Sequence, residues 1–131
     1  MAEKVEFELV SPQRLLVSEP VEMVVVPGAE GDLGVLPGHS PLIATVRPGV
    51  IAIHEDTTVK ERIFVAGGFC DISPSHCTVL AEEAVHVEDI DRSAAEQRLE
   101  AAKQAEAEED DKAKCEAERR IAEAMLAAAS A

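Results

Sequence analysis

All seven glycines and all seven prolines of this chain lie before residue 90. Residues 90–131 contain neither, and are filled with alanine and other strong helix formers. Glycine and proline end strands and force tight turns. The first part must therefore be built of short, turn-punctuated elements. The second part has nothing to stop a helix.

Residues 5–10, V-E-F-E-L-V, alternate strictly, with Val5, Phe7 and Leu9 on one face and Glu6 and Glu8 on the other. That is the pattern of a half-buried strand. After a turn at Ser11-Pro12, strands are expected at Gln13–Val17 and Pro20–Val26, the latter closed by Pro27-Gly28. The stretch Glu30–Val50 follows, a rim of loops on two short apolar runs, Leu33–Leu36 and Leu42–Val46. Gly49–His54 and Val59–Ala66 form a hairpin across Glu55-Asp56-Thr57-Thr58. Gly67-Gly68 permits a bend or a close backbone approach. Phe69–Ser73 and His76–Ala81 form another hairpin, and a last strand runs Ala84–Glu88. About ten strands at roughly eight-residue spacing predict a ten-stranded antiparallel β-sandwich or flattened barrel. Residues 1–88 are read as that domain.

Residues 89–131 are read as a second, helical unit. Ser93-Ala94-Ala95-Glu96 has the form of a capping box, with Asp91 an alternative N-cap. The acidic run Glu106-Ala107-Glu108-Glu109-Asp110-Asp111 interrupts the apolar pattern. Two helices are expected, about 92–107 and 112–129, folded as an antiparallel hairpin; one long helix is the alternative. A seam of Ala95, Leu99 and Ala102 against Ala117, Ile121 and Ala124 would hold them. Such a seam is weak, because each alanine buries little area at about 25 cal/mol per Å². A second apolar strip on the later helix, Cys115, Ala122, Leu126 and Ala129, calls for another partner, the sandwich or a second chain.

Composition excludes several functions. The net charge of −14 rules out a basic nucleic-acid footprint and disfavours anionic lipid heads. No apolar run approaches the roughly 20 residues that span a bilayer, so no direct membrane insertion is expected. The N-terminus runs almost at once into a strand, with no visible signal or transit peptide. Cys70, Cys77 and Cys115 form no C-x-x-C pair and read as free thiols in a reducing compartment.

No catalytic constellation emerges. His39, His54, His76 and His86 are scattered, with no H-x-H pair for a jelly-roll metal site. His39 reads as a turn hydrogen-bonder. Gly67-Gly68 is not followed by a phosphate-binding helix. Ser40, Ser73 and Ser75 read as turn residues. No metal and no cofactor is expected. Lys112, Lys114, Arg119 and Arg120 read either as solvated helix charges, with Glu116–Arg120 and Arg119–Glu123 at i, i+4, or as a basic set for an acidic partner.

The rim spacing G-x-x-G-x-L-P-G-H-x-P-L resembles the epsilon subunit family of F-type ATP synthases. A second block agrees: Val65-Ala66-Gly67-Gly68-Phe69, then Asp71-Ile72, Pro74 and Thr78-Val79-Leu80-Ala81. With the N-terminal strand and Ile90-Asp91, the resemblance covers essentially the whole chain. It implies a ten-stranded sandwich plus helical hairpin that is not catalytic. It implies a rotor subunit bound to the gamma subunit and the c ring, coupling proton flow to ATP synthesis, peripheral on the cytoplasmic face of the bacterial plasma membrane. By the same resemblance Glu30, Gly31, Asp32 and His39 face the c ring. The C-terminal helices would reach the alpha and beta subunits through Lys112, Lys114, Arg119 and Arg120, and inhibit ATP hydrolysis. Ile90 and Asp91 match the start of an I-D-x-x-R-A nucleotide motif, but Ala94 stands where its arginine belongs. That removes the motif's cation and counts against ATP sensing. The residues alone leave a freestanding sandwich enzyme or small-ligand binder as the alternative.

Overall fold

The computed structural model describes residues 4–107 and 112–130. Ten strands come first: β1 (Val5–Val10), β2 (Leu15–Val21), β3 (Met23–Gly28), β4 (Gly31–Val35) and β5 (Leu42–Val46), then β6 (Gly49–Glu55), β7 (Thr58–Val65), β8 (Gly68–Ile72), β9 (His76–Ala81) and β10 (Ala84–His86). A 3-10 turn at Val87–Asp89 leads into α1 (Arg92–Ala107) and α2 (Lys112–Ser130). The strands run β10-β7-β6-β3-β5-β8-β9-β1-β2, with β4 beside β3. At β3–β5 the ladder narrows to one pair, Gly28 with Val46, and there the sheet folds over on itself. Alternation places Val5, Phe7, Leu9, Val24, Val26, Ile51, Ile53, Ile63, Val65, Ile72 and Val79 between the two layers, all at most 1% exposed. This interior is almost wholly aliphatic, as a chain without Trp or Tyr requires.

Four sequence expectations need correction. The sandwich is antiparallel in every pairing but one: β1 lies parallel to β9. No hairpin joins strands so distant in sequence, so nothing forces opposite directions. The break between the second and third strands falls at Glu22, because β2 runs on through Pro20. Proline is tolerated there because β2 ends the sheet and an edge strand can spare an N–H. The last strand stops at His86, and Val87–Asp89 form the 3-10 turn. Finally, α1 is capped by Asp91, whose Oδ1 accepts the Ala94 N–H at 3.2 Å, rather than by a box on Ser93. Ile90, the residue before this cap, packs against the sheet-side cluster under the helices.

Gly68 marks a close approach. A Cβ there would lie 2.0 Å from the Leu80 carbonyl oxygen, and its φ of +141° is one that side chains avoid. The β8–β9 pairing therefore needs glycine at this position.

The end of β7 and the residue after it, Ile63 to Ala66, are buried on both faces. Ile63 and Val65 point into the sandwich, while Phe64 and Ala66 point outward into a second cluster. That cluster gathers Ala95, Ile121, Met125 and Ala128 of the helices, with Val50, Val85, Val87 and Ile90 around it. The helical pair thus lies on the outer face of the β10-β7-β6 layer.

Candidate functional site

The two helices pack as an antiparallel pair: Arg98 of α1 meets Glu118 of α2, and Ala102 and Cys115 line the same cleft. The expected seam is corrected in its later half. Ala117 is exposed, and Ile121 and Ala124 pack on the Phe64 cluster of the sheet. Of the earlier half, Ala95 joins that sheet-side cluster, Ala102 is buried and Leu99 is half-buried. Cys115 and Ala122, assigned from the sequence to the second strip, are buried, with Cys115 between the helices, while Leu126 of the same strip packs against the sheet-side cluster. The reason is area. The bulkiest residues of α2, Ile121 and Met125, go to the wide apolar sheet face, and smaller ones go to the close helix–helix approach. The joint at Glu108–Asp111 lies outside the described residues.

Lys112 opens α2, and Lys114 lines the interhelical cleft. Arg119 lies 3.4 Å from Glu106 and 3.5 Å from Glu123, and Arg120 lies 2.6 Å from Glu116. Ile90 is half-buried beneath the helices and Asp91 is spent on capping, so neither is set out for a nucleotide.

At the rim, the β3–β4 turn carries Glu30, Gly31 and Asp32, all exposed. Arg47 braces it, donating to the Gly28 carbonyl at 2.5 Å and to Asp32 Oδ1 at 2.6 Å. Glu30, Gly31 and Asp32 line one groove together with Leu42 and Ile43 of β5, and Ile43 is 76% exposed. His39 does not line it. It sits in the β4–β5 loop, its Nδ1 donating to the Ser40 carbonyl at 2.6 Å, while Gly38 N–H bonds to the Pro74 carbonyl.

One surface feature emerges only from the strand register. Leu15 pairs with Val10, Val10 with Leu80 and Leu80 with Phe69, in register across β2, β1, β9 and β8. Leu15, Leu80 and Phe69 are each more than half exposed. This apolar row crosses the outer face of the layer that the helices leave bare. Its signal was present: Leu80 and Phe69 fall out of phase with the buried residues of their strands. Ser73, expected as a turn residue, is one: its Oγ lies 2.9 Å from His76 Nδ1. The same hydroxyl accepts the His76 N–H, so the pair ties the β8–β9 turn.

Among the described residues no three His, Cys, Asp or Glu side chains gather to hold a metal ion, and no helix is long and apolar enough to cross a membrane. The described residues thus present a bare apolar sheet face, a braced rim of loops and a docked helical pair. Residues 4–87 match the family described as "ATP synthase, Delta/Epsilon chain, beta-sandwich domain", and the chain belongs to that family. It is a non-catalytic component of ATP synthase, as its relatives are named. It is 54% identical over 132 residues to the ATP synthase epsilon chain of Rhodospirillum rubrum, with 98% of each chain covered. It is 55% identical over 131 residues to the epsilon chain of Paramagnetospirillum magneticum, again with 98% of each covered. Among solved structures, a chain of the Euglena gracilis mitochondrial ATP synthase, described as OSCP/F1/c-ring, superposes with a TM-score of 0.81. That pair is 26% identical and covers 95% of this chain and 81% of the other. Family membership decides against the freestanding enzyme.

Proposed function

We propose that this chain is a rotor subunit of the central stalk, coupling proton flow to ATP synthesis without catalysing it. The carrying observation is the exposed row Leu15–Val10–Leu80–Phe69. An apolar band this open on a soluble fold is suited to permanent cover by a partner. The occupant is the gamma subunit: the helices already cover the opposite layer, and the structural relative belongs to an F1/c-ring assembly. The rim of Glu30, Gly31, Asp32 and His39 then points toward the c ring, as loops at one end of a sandwich are natural contact sites. The subunit is peripheral, on the cytoplasmic face of a bacterial plasma membrane. Residues 1–88 form the binding domain and 89–131 the mobile one. Lys112, Lys114, Arg119 and Arg120 are the contacts of the helices with the alpha and beta subunits.

The α1–α2 pair restrains ATP hydrolysis. Its docking cluster holds only a few large side chains, Phe64, Ile121, Met125 and Leu126 among them, so two positions of similar free energy are within reach. Hydrolysis by the reconstituted complex should rise when the chain ends at Asp89. Equal rates with full-length and shortened chains would remove the inhibitory role. Cysteines at Glu30 or Asp32 should crosslink to c subunits, and crosslinks only to beta would overturn the rim assignment.

A further inference from the structure

Arg98 joins three elements. It stands on α1, its Nη1 donates to both carboxylate oxygens of Glu83 at 2.9 Å, and its Nε donates to Glu118 Oε2 of α2 at 3.2 Å. Glu83 lies in the turn between β9 and β10, so the guanidinium ties the sandwich to both helices at once. The other arginines of the hairpin pair inside the helical unit: Arg92 with Glu96 and Arg120 with Glu116 along one helix, Arg119 with Glu123 and, across to α1, with Glu106.

The surroundings make this fork decisive. The cleft beside Arg98 is lined by Ala101, Ala102, Ala105 and Cys115, small groups that set no register, together with Lys114 and Glu118. Apolar packing is non-directional, whereas a guanidinium fork fixes geometry. The Arg98 side chain is 28% exposed. Burial works against its charge, yet the bonds and charges of Glu83 and then Glu118 outweigh this and hold its pKa above the ordinary guanidinium value. One cation serves two carboxylates. Without it, Glu83 and Glu118 are like charges brought to the same point.

We propose that Arg98 is the latch of the hairpin: it holds α1 and α2 together and docked on the sandwich, and its parting from Glu83 and Glu118 releases them. This rests on reading the hairpin as a mobile element. The chain carries its own probes. Cys115 is buried between the helices, whereas Cys70 and Cys77 are buried inside the sandwich. In the full-length protein, Arg98→Gln should speed labelling of Cys115 by a thiol reagent about tenfold, as expected for losing charge-assisted hydrogen bonds. Cys70 and Cys77 should stay protected. Molar salt should speed Cys115 labelling in the parent protein and much less in the variant. Arg98→Lys, which keeps the charge but loses the fork, should fall between. If Arg98→Gln exposes Cys70 and Cys77 as well, Glu83→Gln carries the test, with the same direction expected. Parent-like Cys115 labelling in both Arg98→Gln and Glu83→Gln overturns the latch. Hydrolysis indifferent to removal of the hairpin would instead overturn the inhibitory reading and leave the labelling result standing.

Discussion

Phe69 and Leu80 stand directly opposite each other on β8 and β9, 59% and 56% exposed. Cross-strand neighbours of this size normally bury one another's flanks against a core. Here they face outward, on the layer without helices. Replacing Phe69 with Glu should leave the isolated protein as stable as the parent within about 0.5 kcal/mol, the usual range for a surface change. Urea unfolding measures this. A loss of several kcal/mol would mean that Phe69 supports the fold rather than an interface.

The opposite layer behaves differently. Phe64 is fully buried, with α1 and α2 lying over it. Phe64→Ala should destabilise the full chain by about 3 kcal/mol. In a chain ending at Asp89 the ring is already uncovered, and the same change should cost under about 1 kcal/mol. That shortened chain should still unfold cooperatively. Equal losses in both backgrounds, or no cooperative transition in the shorter one, would deny that the sandwich stands by itself.

The β6–β7 hairpin turns through Asp56 and Thr57, with φ of 51° and 67°. Two positive φ values mark a type I′ turn, which suits glycine at the second position. A β-branched threonine is strained there. Thr57→Gly should raise stability by about 1 kcal/mol, the cost of a left-handed residue less the entropy of glycine. An unchanged or lower urea midpoint would contradict this.

Alkaline pH should weaken the sandwich. Burial, with Cys70 and Asp71 nearby, pushes the Cys77 thiol up to about 12 from an ordinary 9.0. The folded state keeps this proton when the unfolded state has lost it. The stabilisation is therefore complete below about pH 9 and is lost as pH rises toward 12, by up to about 1.4 kcal/mol per pH unit from this group. Cys77→Ala should be less stable at neutral pH yet show a shallower alkaline decline. An identical decline would place the titration elsewhere.

The strands were legible because each carries a strict two-residue alternation bounded by glycine or proline, as in Val5–Val10. The helices were legible from their alanine content, and the family from the rim and the Gly67-Gly68 block. Which stripe of α2 meets which partner was not. Alanine appears on every side of that helix, so periodicity cannot rank its faces, and the choice depends on where Phe64 emerges from a distant strand. Register decided the apolar row, since Val10, Leu15, Phe69 and Leu80 come from four strands that only the fold aligns. Arg98 was silent for the same reason: its partners lie 15 and 20 residues away in opposite directions.

By the proposed function the chain works as a docked subunit of the ATP synthase stalk. Pull-down of the affinity-tagged full-length chain from native membranes tests it most directly, with Phe69→Glu run beside it. The parent should recover the gamma, alpha, beta and c subunits together, and Phe69→Glu, though folded, should recover little of any. A parent chain that brings down none of them would contradict it.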